Sequence, residues 1–304
     1  MVRGPLPDKF SLAHKQLDAE SYEEIAADID YYAESISDEI ALRLVELARF
    51  EPTDHVLDIG TGTGLVALRA SSYITGGRVI GIDHSSGMLE QARAKARRCG
   101  IGDAVSFLQM DAERLDFSDR SFDVVLSLYA LLHFHEPLAA LREMHRVLRP
   151  GGRIVIGVGR GPSLLSGNAV MEGARRMCDL IGAARGRLLT APAFLHRLMR
   201  EHGLPPDPNL QPHRDVPIPR MLCEAGFRHV RSRWLGCRKE LDTLDFWRLQ
   251  VTFDSPARIR LQQASPQEIA ALKQDFLERC RRVKEKKGAL IYRYAAMFYV
   301  GSAA

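Results

Sequence analysis

Val56-Leu57-Asp58-Ile59-Gly60-Thr61-Gly62-Thr63-Gly64 reads as a short apolar strand that stops in a glycine-rich turn, with an apolar helical pattern starting at Leu65. Glycines at alternate positions let the main chain turn tightly and leave N–H groups open to a ligand beside a helix N-terminus. A dinucleotide fingerprint, GxGxxG, would put its third glycine at position 65, which is Leu65, and Asp58 stands two residues before the first glycine. A carboxylate there repels a pyrophosphate and favours a ligand that brings an amino group or another cation to the turn.

Reading outward from this stretch, five β-rich runs appear: His55 to Ile59, Arg78 to Ile82, Val105 to Gln109, Phe122 to Leu128 and Arg153 to Val158. Helical patterns lie between them, notably Ser86 to Arg98 and Pro137 to Leu148, and Arg149-Pro150-Gly151-Gly152 reads as a turn into the fifth strand. Strands alternating with helices predict an α/β fold with an open, mostly parallel sheet. Asp83 closes the second strand, where a carboxylate can accept from a ribose diol, and Asp111 follows the third, where it can accept from an exocyclic amine. Carboxylates gathered at one sheet edge are costly unless a ligand or solvent satisfies them.

Before this core, apolar residues between Glu23 and Ala48 recur at three- and four-residue steps and predict one or two helices behind a loose arm over residues 1–20. After it, Asn168 to Ala183, Ala191 to Glu201 and residues 242–287 read as helical. Residues 205–219 are proline-rich, and Arg220 to Ala225 with His229 to Cys237 form a further αβ unit. Ala289 to Val300 suits a last strand.

Four motifs in order, Asp58-x-Gly60-x-Gly62-x-Gly64, Asp83-His84-Ser85-x-x-Met88-Leu89, Asp111-Ala112-Glu113-x-Leu115 with Phe122-Asp123-Val124-Val125, and Arg146 to Gly152, resemble those of class I S-adenosylmethionine (SAM)-dependent methyltransferases. They are most similar to the branch typified by ubiquinone/menaquinone-biosynthesis enzymes, and the resemblance covers roughly residues 30–160. It implies a Rossmann-like seven-stranded, mostly parallel sheet, with an N-terminal helical cap over residues 1–50, a SAM-binding core over 51–160 and a C-terminal part over 161–304. Helical insertions at about 161–215 and 242–287 would cover the sheet edge as a lid. It also implies cofactor contacts: Gly60 and Gly62 beside the methionyl end with Asp58 near its amino group, and Asp83 on the ribose. His84 and Met88 would flank the adenine, Asp111 and Ala112 would read its edge, and Ser127 and Leu128 would line the reacting methyl.

Methyl transfer from a sulfonium needs a base only when the acceptor arrives protonated. His133 is the candidate base, in Tyr129-Ala130-Leu131-Leu132-His133-Phe134-His135-Glu136, with a supporting role for its imidazole as the alternative. Tyr32, with Tyr22 and Tyr31, lies on the helices expected to fold over the pocket, where it either binds substrate or packs on the core. His133, His135 and Glu136 lack a third ligand at metal-site spacing, so no metal is assigned. Phe194, Leu195, Leu198, Met199, Phe246, Trp247 and Leu249 form an apolar inventory that favours a small organic acceptor, although most of it must also serve as core.

The whole chain, 304 residues with 46% hydrophobic and 26% charged, has the make-up of a folded protein, and its net charge of +4 is too small to argue for nucleic acid. The basic run from Arg279 to Lys287 is interspersed with Glu278 and Glu285 and reads as a solvated face. Five cysteines, 14 or more residues apart, exclude a disulfide framework or zinc ribbon, and the first ten residues carry no apolar leader. The expectation is a cytoplasmic enzyme, monomer or homodimer, with a small-molecule methyl acceptor and no membrane span. Methylation of RNA or protein, and a SAM-fold binding module without methyl transfer, are the alternatives.

Overall fold

The computed structural model describes Tyr22 and residues 25–26, 28–30, 36–159, 161, 167–191, 193–204 and 216–304. The described residues fall into two compact units. A sheet unit takes those from 22 to 159, 216 to 235 and 296 to 304, and a helical unit takes the rest.

In the sheet unit, helix α1 (Asp38–Ala48) precedes β1 (His55–Ile59), α2 (Leu65–Ser71), β2 (Arg78–Asp83), α3 (Ser86–Arg98), β3 (Val105–Gln109), β4 (Phe122–Leu128), α4 (Pro137–Val147) and β5 (Leu148–Val158). Helix α7 (Ile218–Glu224), the start of β7 (Arg228–Glu240) and the end of β8 (Ala289–Ser302) complete it. The sheet runs β3-β2-β1-β4-β5-β8, with β7 paired to β8. Pairings from β3 through β5 are parallel, and β8 lies antiparallel to β5. Strand β1 is buried on both faces after its first residue, as expected for a sheet covered by helices on either side. Chain order proceeds outward from β1 through β2 to β3 on one side and through β4 to β5 on the other. That reversal makes the carboxyl ends of β1 and β4 the switch point at which ligands bind in such sheets.

Helix α4 shows how the elements are fastened. Pro137 sits at its first turn, and Ala140, Leu141, Met144 and Val147, at steps of one, three and three, are buried against the sheet. On its other side, Arg146 donates to the carbonyls of Leu115 and Phe117, to both Glu143 oxygens and to Asp119. Leu115 N–H in turn donates to Glu143. Lysine has no planar fork with which to reach all of these acceptors. Arg146→Lys should lower stability by about 2 kcal/mol, read by thermal melting, with cofactor affinity unchanged. Arg153 on β5 fastens α1 similarly, donating to the carbonyls of Ala48 and Arg49 at the helix end and to Asp54.

The string Arg149-Pro150-Gly151-Gly152 is not a turn ahead of the fifth strand: β5 already starts at Leu148 and runs through it. The register against β4 shifts between Phe122 and Val124, and Gly151 takes φ +78°. Gly151 N–H donates to Ala303 O, and Ala303 N–H to Gly152 O, so β8 satisfies the irregular stretch.

The helical unit contains α5 (Gly167–Ala184), β6 (Leu188–Ala191), α6 (Ala193–Glu201), α8 (Thr243–Phe253), α9 (Ser255–Gln263) and α10 (Pro266–Glu285), with the remaining parts of β7 and β8. Both segments expected as separate insertions gather into this one unit. They are not purely helical, because β6 pairs in parallel with Ala289 to Tyr292 of β8. The core here is aromatic. Phe194 lies 4.9 Å from Phe276, ring centre to ring centre, and Trp247 lies 5.0 Å from Phe276 edge to face. Phe194, Leu195, Leu198, Met199, Phe246, Trp247 and Leu249 are all buried, so the apolar inventory is core. In the basic run, Arg279 pairs with Asp275 and Glu201, Arg281 and Arg282 with Glu278, and Lys284 with Glu240.

Candidate cofactor site

The turn after β1 is built from glycine conformations. Gly60, Gly62 and Gly64 take φ of +69°, +54° and +84°, a region that side chains enter only at a cost. Their surroundings differ. A Cβ at Gly60 would overlap that of Ala130, and one at Gly64 would lie 2.9 Å from the Phe107 ring. At Gly62 there is nothing within 4 Å, so the backbone there faces open space that a ligand can fill.

Asp58 lies beneath this turn and is 1% exposed. Its Oδ2 accepts from Thr61 Oγ1 at 2.7 Å and from Ala67 N at 3.1 Å, while Oδ1 is buried without a hydrogen-bond partner. Burial is the main reason that its carboxyl is pushed up to about 7; the Thr61 and Ala67 hydrogen bonds oppose the shift and nearby Asp83 adds to it. An unpartnered oxygen on a buried carboxyl calls for a donor or a cation.

Asp83, at the end of β2, connects the neighbouring loops. Its Oδ2 accepts from Gly62 N at 2.8 Å and its Oδ1 from Ser85 N at 3.0 Å. Burial raises its carboxyl above the usual range, against the pull of these N–H groups. Thr61 N–H donates to Ile82 O and Met110 N–H to Asp83 O, so the turns after β1, β2 and β3 form one hydrogen-bonded set. Ser85 caps α3 by accepting from Met88 N. Met88 is 4% exposed beside buried Leu89, as a core side chain is, and His84 is exposed, its carbonyl accepting from Gln109 Nε2.

Asp111 accepts from Glu113 N at 3.0 Å, and Ala112 is buried. Glu113 was not singled out by its sequence position, yet its Oε1 accepts from His135 N and Glu136 N and so anchors the loop after β4. Ser127 is fully buried with its Oγ unpartnered, and Leu128 pairs with Gly157. Tyr129 follows at φ +59°, its N–H donating to Gly157 O, and this kink brings Ala130 over Gly60.

The structure therefore joins Asp58, Gly60, Gly62 and Asp83, with Asp111 and Ala112 adjoining through Met110. His133 is exposed on a short 3-10 turn (Leu131–His133), its N–H donating to Ala130 O and its ring 5.6 Å from that of Tyr22. Tyr32 and Tyr31 lie outside the described residues. Among the described residues no three His, Cys, Asp or Glu side chains gather as a metal site, and no helix is long and apolar enough to cross a membrane.

A doubly wound sheet with an acidic glycine turn, a second carboxylate on the next strand and room for a cationic ligand is the architecture of class I SAM-dependent methyltransferases. Residues 57–156 match the family described as a methyltransferase domain. The chain is 30% identical over 191 residues to the ubiquinone/menaquinone biosynthesis C-methyltransferase UbiE of Shewanella oneidensis, covering 61% of this chain and 71% of that one. It is 40% identical over 114 residues to the demethylmenaquinone methyltransferase of Thermus thermophilus, covering 38% of this chain and 51% of the Thermus enzyme, about half its length. Among solved structures, the [4+2]-cyclase SpnF shares the fold at a TM-score of 0.55 and 18% identity, covering 98% of this chain and 97% of SpnF. The YcgJ protein of Bacillus subtilis does so at 0.52 and 19%, covering 87% and 98%. The chain belongs to the SAM-dependent methyltransferase family, in its UbiE-like branch.

Proposed function

We propose that this chain transfers the methyl group of SAM to an O, N or C atom of a small, partly apolar metabolite. The observation that carries the reading is the buried Asp58 carboxyl, which has one unpartnered oxygen and accepts from Thr61 in the turn whose next residue, Gly62, faces open space. Bound SAM supplies a methyl group on a sulfonium, which already carries its leaving group. Asp58 attracts the ammonium of the methionyl end, and the open backbone at Gly62 admits it. Asp83 and His84 face the ribose and adenine side, Met88 shapes that wall from the core, and Asp111 with Ala112 N–H recognises the adenine edge. Ser127 and Leu128 border the reacting centre.

The chain's own part in the reaction is to hold the acceptor atom in line at about 3 to 3.5 Å, the range over which orientation alone is worth several kcal/mol. His133 takes a proton from acceptors that arrive protonated, and Tyr32 is the tyrosine proposed to bind substrate. Residues 51–160 are the proposed cofactor-binding core, and the insertions at about 161–215 and 242–287 are the part proposed to select the acceptor. The proposed setting is cytoplasmic, with the chain a monomer or homodimer; none of the five cysteines joins a disulfide.

Calorimetric titration with SAM and its demethylated product, followed by incubation with methyl-labelled SAM and a fractionated small-molecule extract, tests the reading. Binding of both and label in a low-molecular-weight fraction are expected. Absence of binding sinks the cofactor assignment, and binding without label in any fraction sinks the transfer.

A further inference from the structure

Helix α5 is built inside out. Its charged residues Glu172, Arg175, Arg176 and Asp179 recur at steps of three, one and three and so share one face, the pattern by which most helices meet solvent. Here its two acids turn toward the helical unit while Arg175 and Arg176 stay exposed: Arg293 of β8 donates to Glu172 at 2.7 Å and pairs with Asp179, and both acids are half-buried. Gly182 continues the same seam, with Leu188 3.2 Å from where its Cβ would lie. The remaining arc carries Val170, Met171, Met177, Leu180 and Ile181, with exposures of 75, 59, 59, 64 and 48%. Gly173, Ala174 and the thiol of Cys178 lie among them, also exposed.

Single exposed apolar side chains are ordinary, but five on one arc of one helix make a contiguous patch, which marks an interaction surface. Charge says what covers it. Arg185, Arg187, Lys286 and Lys287 are exposed at the C-terminal end of α5, with Glu285 the exposed acid among them. Lys286 Nζ lies 3.1 Å from the Cβ position of Gly186. The acids of α5 itself are taken up by Arg293, so the arc presents apolar surface next to a net positive collar. A second copy of this face would match the apolar arc but would bring the same four cations with Glu285 as the one acid among them, so like charge would meet like.

We propose that α5 lies in the plane of a membrane surface containing anionic lipid, its apolar arc in the headgroup and acyl boundary and Arg185, Arg187, Lys286 and Lys287 on the phosphates. An amphipathic helix combining apolar area with basic residues binds such surfaces without spanning them. This inference stands independently of the methyl-transfer reading.

The test is flotation of the full chain with vesicles of phosphatidylcholine alone and of phosphatidylcholine mixed with phosphatidylglycerol. Binding is expected to the mixed vesicles, reduced by salt, and weak to the neutral ones. The double substitution Met177→Glu, Ile181→Glu should weaken it by roughly tenfold or more. Both side chains are exposed, so circular dichroism and thermal melting should show an intact fold. Failure to float with anionic vesicles overturns the proposal, as does flotation that the double substitution leaves unchanged. A vesicle-independent dimer dispersed by the same substitution also overturns it, by assigning the face to a second copy.

Discussion

Asp58→Asn should make the protein more stable at pH 8 and at the same time weaken its hold on SAM. Burial raises this carboxyl from 3.8 to about 7, a shift worth up to about 4 kcal/mol. The sign follows from linkage. Below pH 3.8 the group is protonated both folded and unfolded. As pH rises through about 7 the folded state must release a proton that the unfolded chain released earlier, and the stability the proton provided is lost. Asparagine keeps an oxygen for Thr61 Oγ–H and Ala67 N–H and never ionises. Its advantage in melting temperature should therefore be largest above pH 7 and vanish near pH 4. Cofactor affinity should move the other way. Losing the negative partner of an ammonium costs about 1 to 3 kcal/mol, roughly tenfold to a hundredfold in Kd. Wild-type affinity should fall as pH drops from 8 to 6, because a proton competes for Asp58, while the variant stays flat. A flat wild-type profile would remove Asp58 from the ammonium site.

Alanine at Gly60 and at Gly62 should have opposite consequences, although both glycines have positive φ. At Gly60 the added methyl overlaps Ala130, whose position is fixed by the kink at Tyr129 and by the N–H of Tyr129 on Gly157 O. Overpacking and the left-handed conformation together should cost about 3 to 5 kcal/mol, seen as a lower melting temperature or an insoluble product. Gly62→Ala meets open space, so stability should fall only by the conformational cost of about 1 to 2 kcal/mol. Its methyl occupies the space left for the ligand, so SAM affinity should drop by roughly tenfold or more in a protein that still folds. If Gly62→Ala binds SAM as tightly as wild type, the open face is not the ligand's.

Strands β1, β2, β4 and the later part of β5 were legible because a strand buried on both faces is written as a nearly continuous apolar run, whereas β3 buries only Val105 and Phe107 and was legible from its β-rich composition. Strand β6 was not, because Leu188-Leu189-Thr190-Ala191 is only four residues long and abuts a helix; its identity depends on pairing with β8, a hundred or so residues later. Strand β5 hides its first residues in a string that looks like a turn, and only Ala303 shows where those amides are satisfied. At the site, Asp58, Gly60 and Gly62 were readable from one local string. Thr61, Glu113 and Tyr129 were not singled out, since their parts depend on partners or backbone angles that no local pattern encodes. The charged stripe of α5 was equally visible, but periodicity says only that two faces differ, and Arg293 decides which one turns inward.

The antiparallel seat of β8 beside β5 also bears on how the chain is made. Val155 pairs with Val300 and Ile156 with Tyr299, so one edge of β5 finds its partner only after well over a hundred further residues have been added. At ribosomal speeds of about 5 to 20 residues per second, that edge waits roughly 7 to 30 s with its amides and carbonyls unpaired. Ile154, Val155 and Ile156 are fully buried once β8 arrives, and an open apolar edge of this kind is a template for unwanted strand pairing. The nascent chain therefore has a defined window of vulnerability during synthesis, in which a holding chaperone would be of most use.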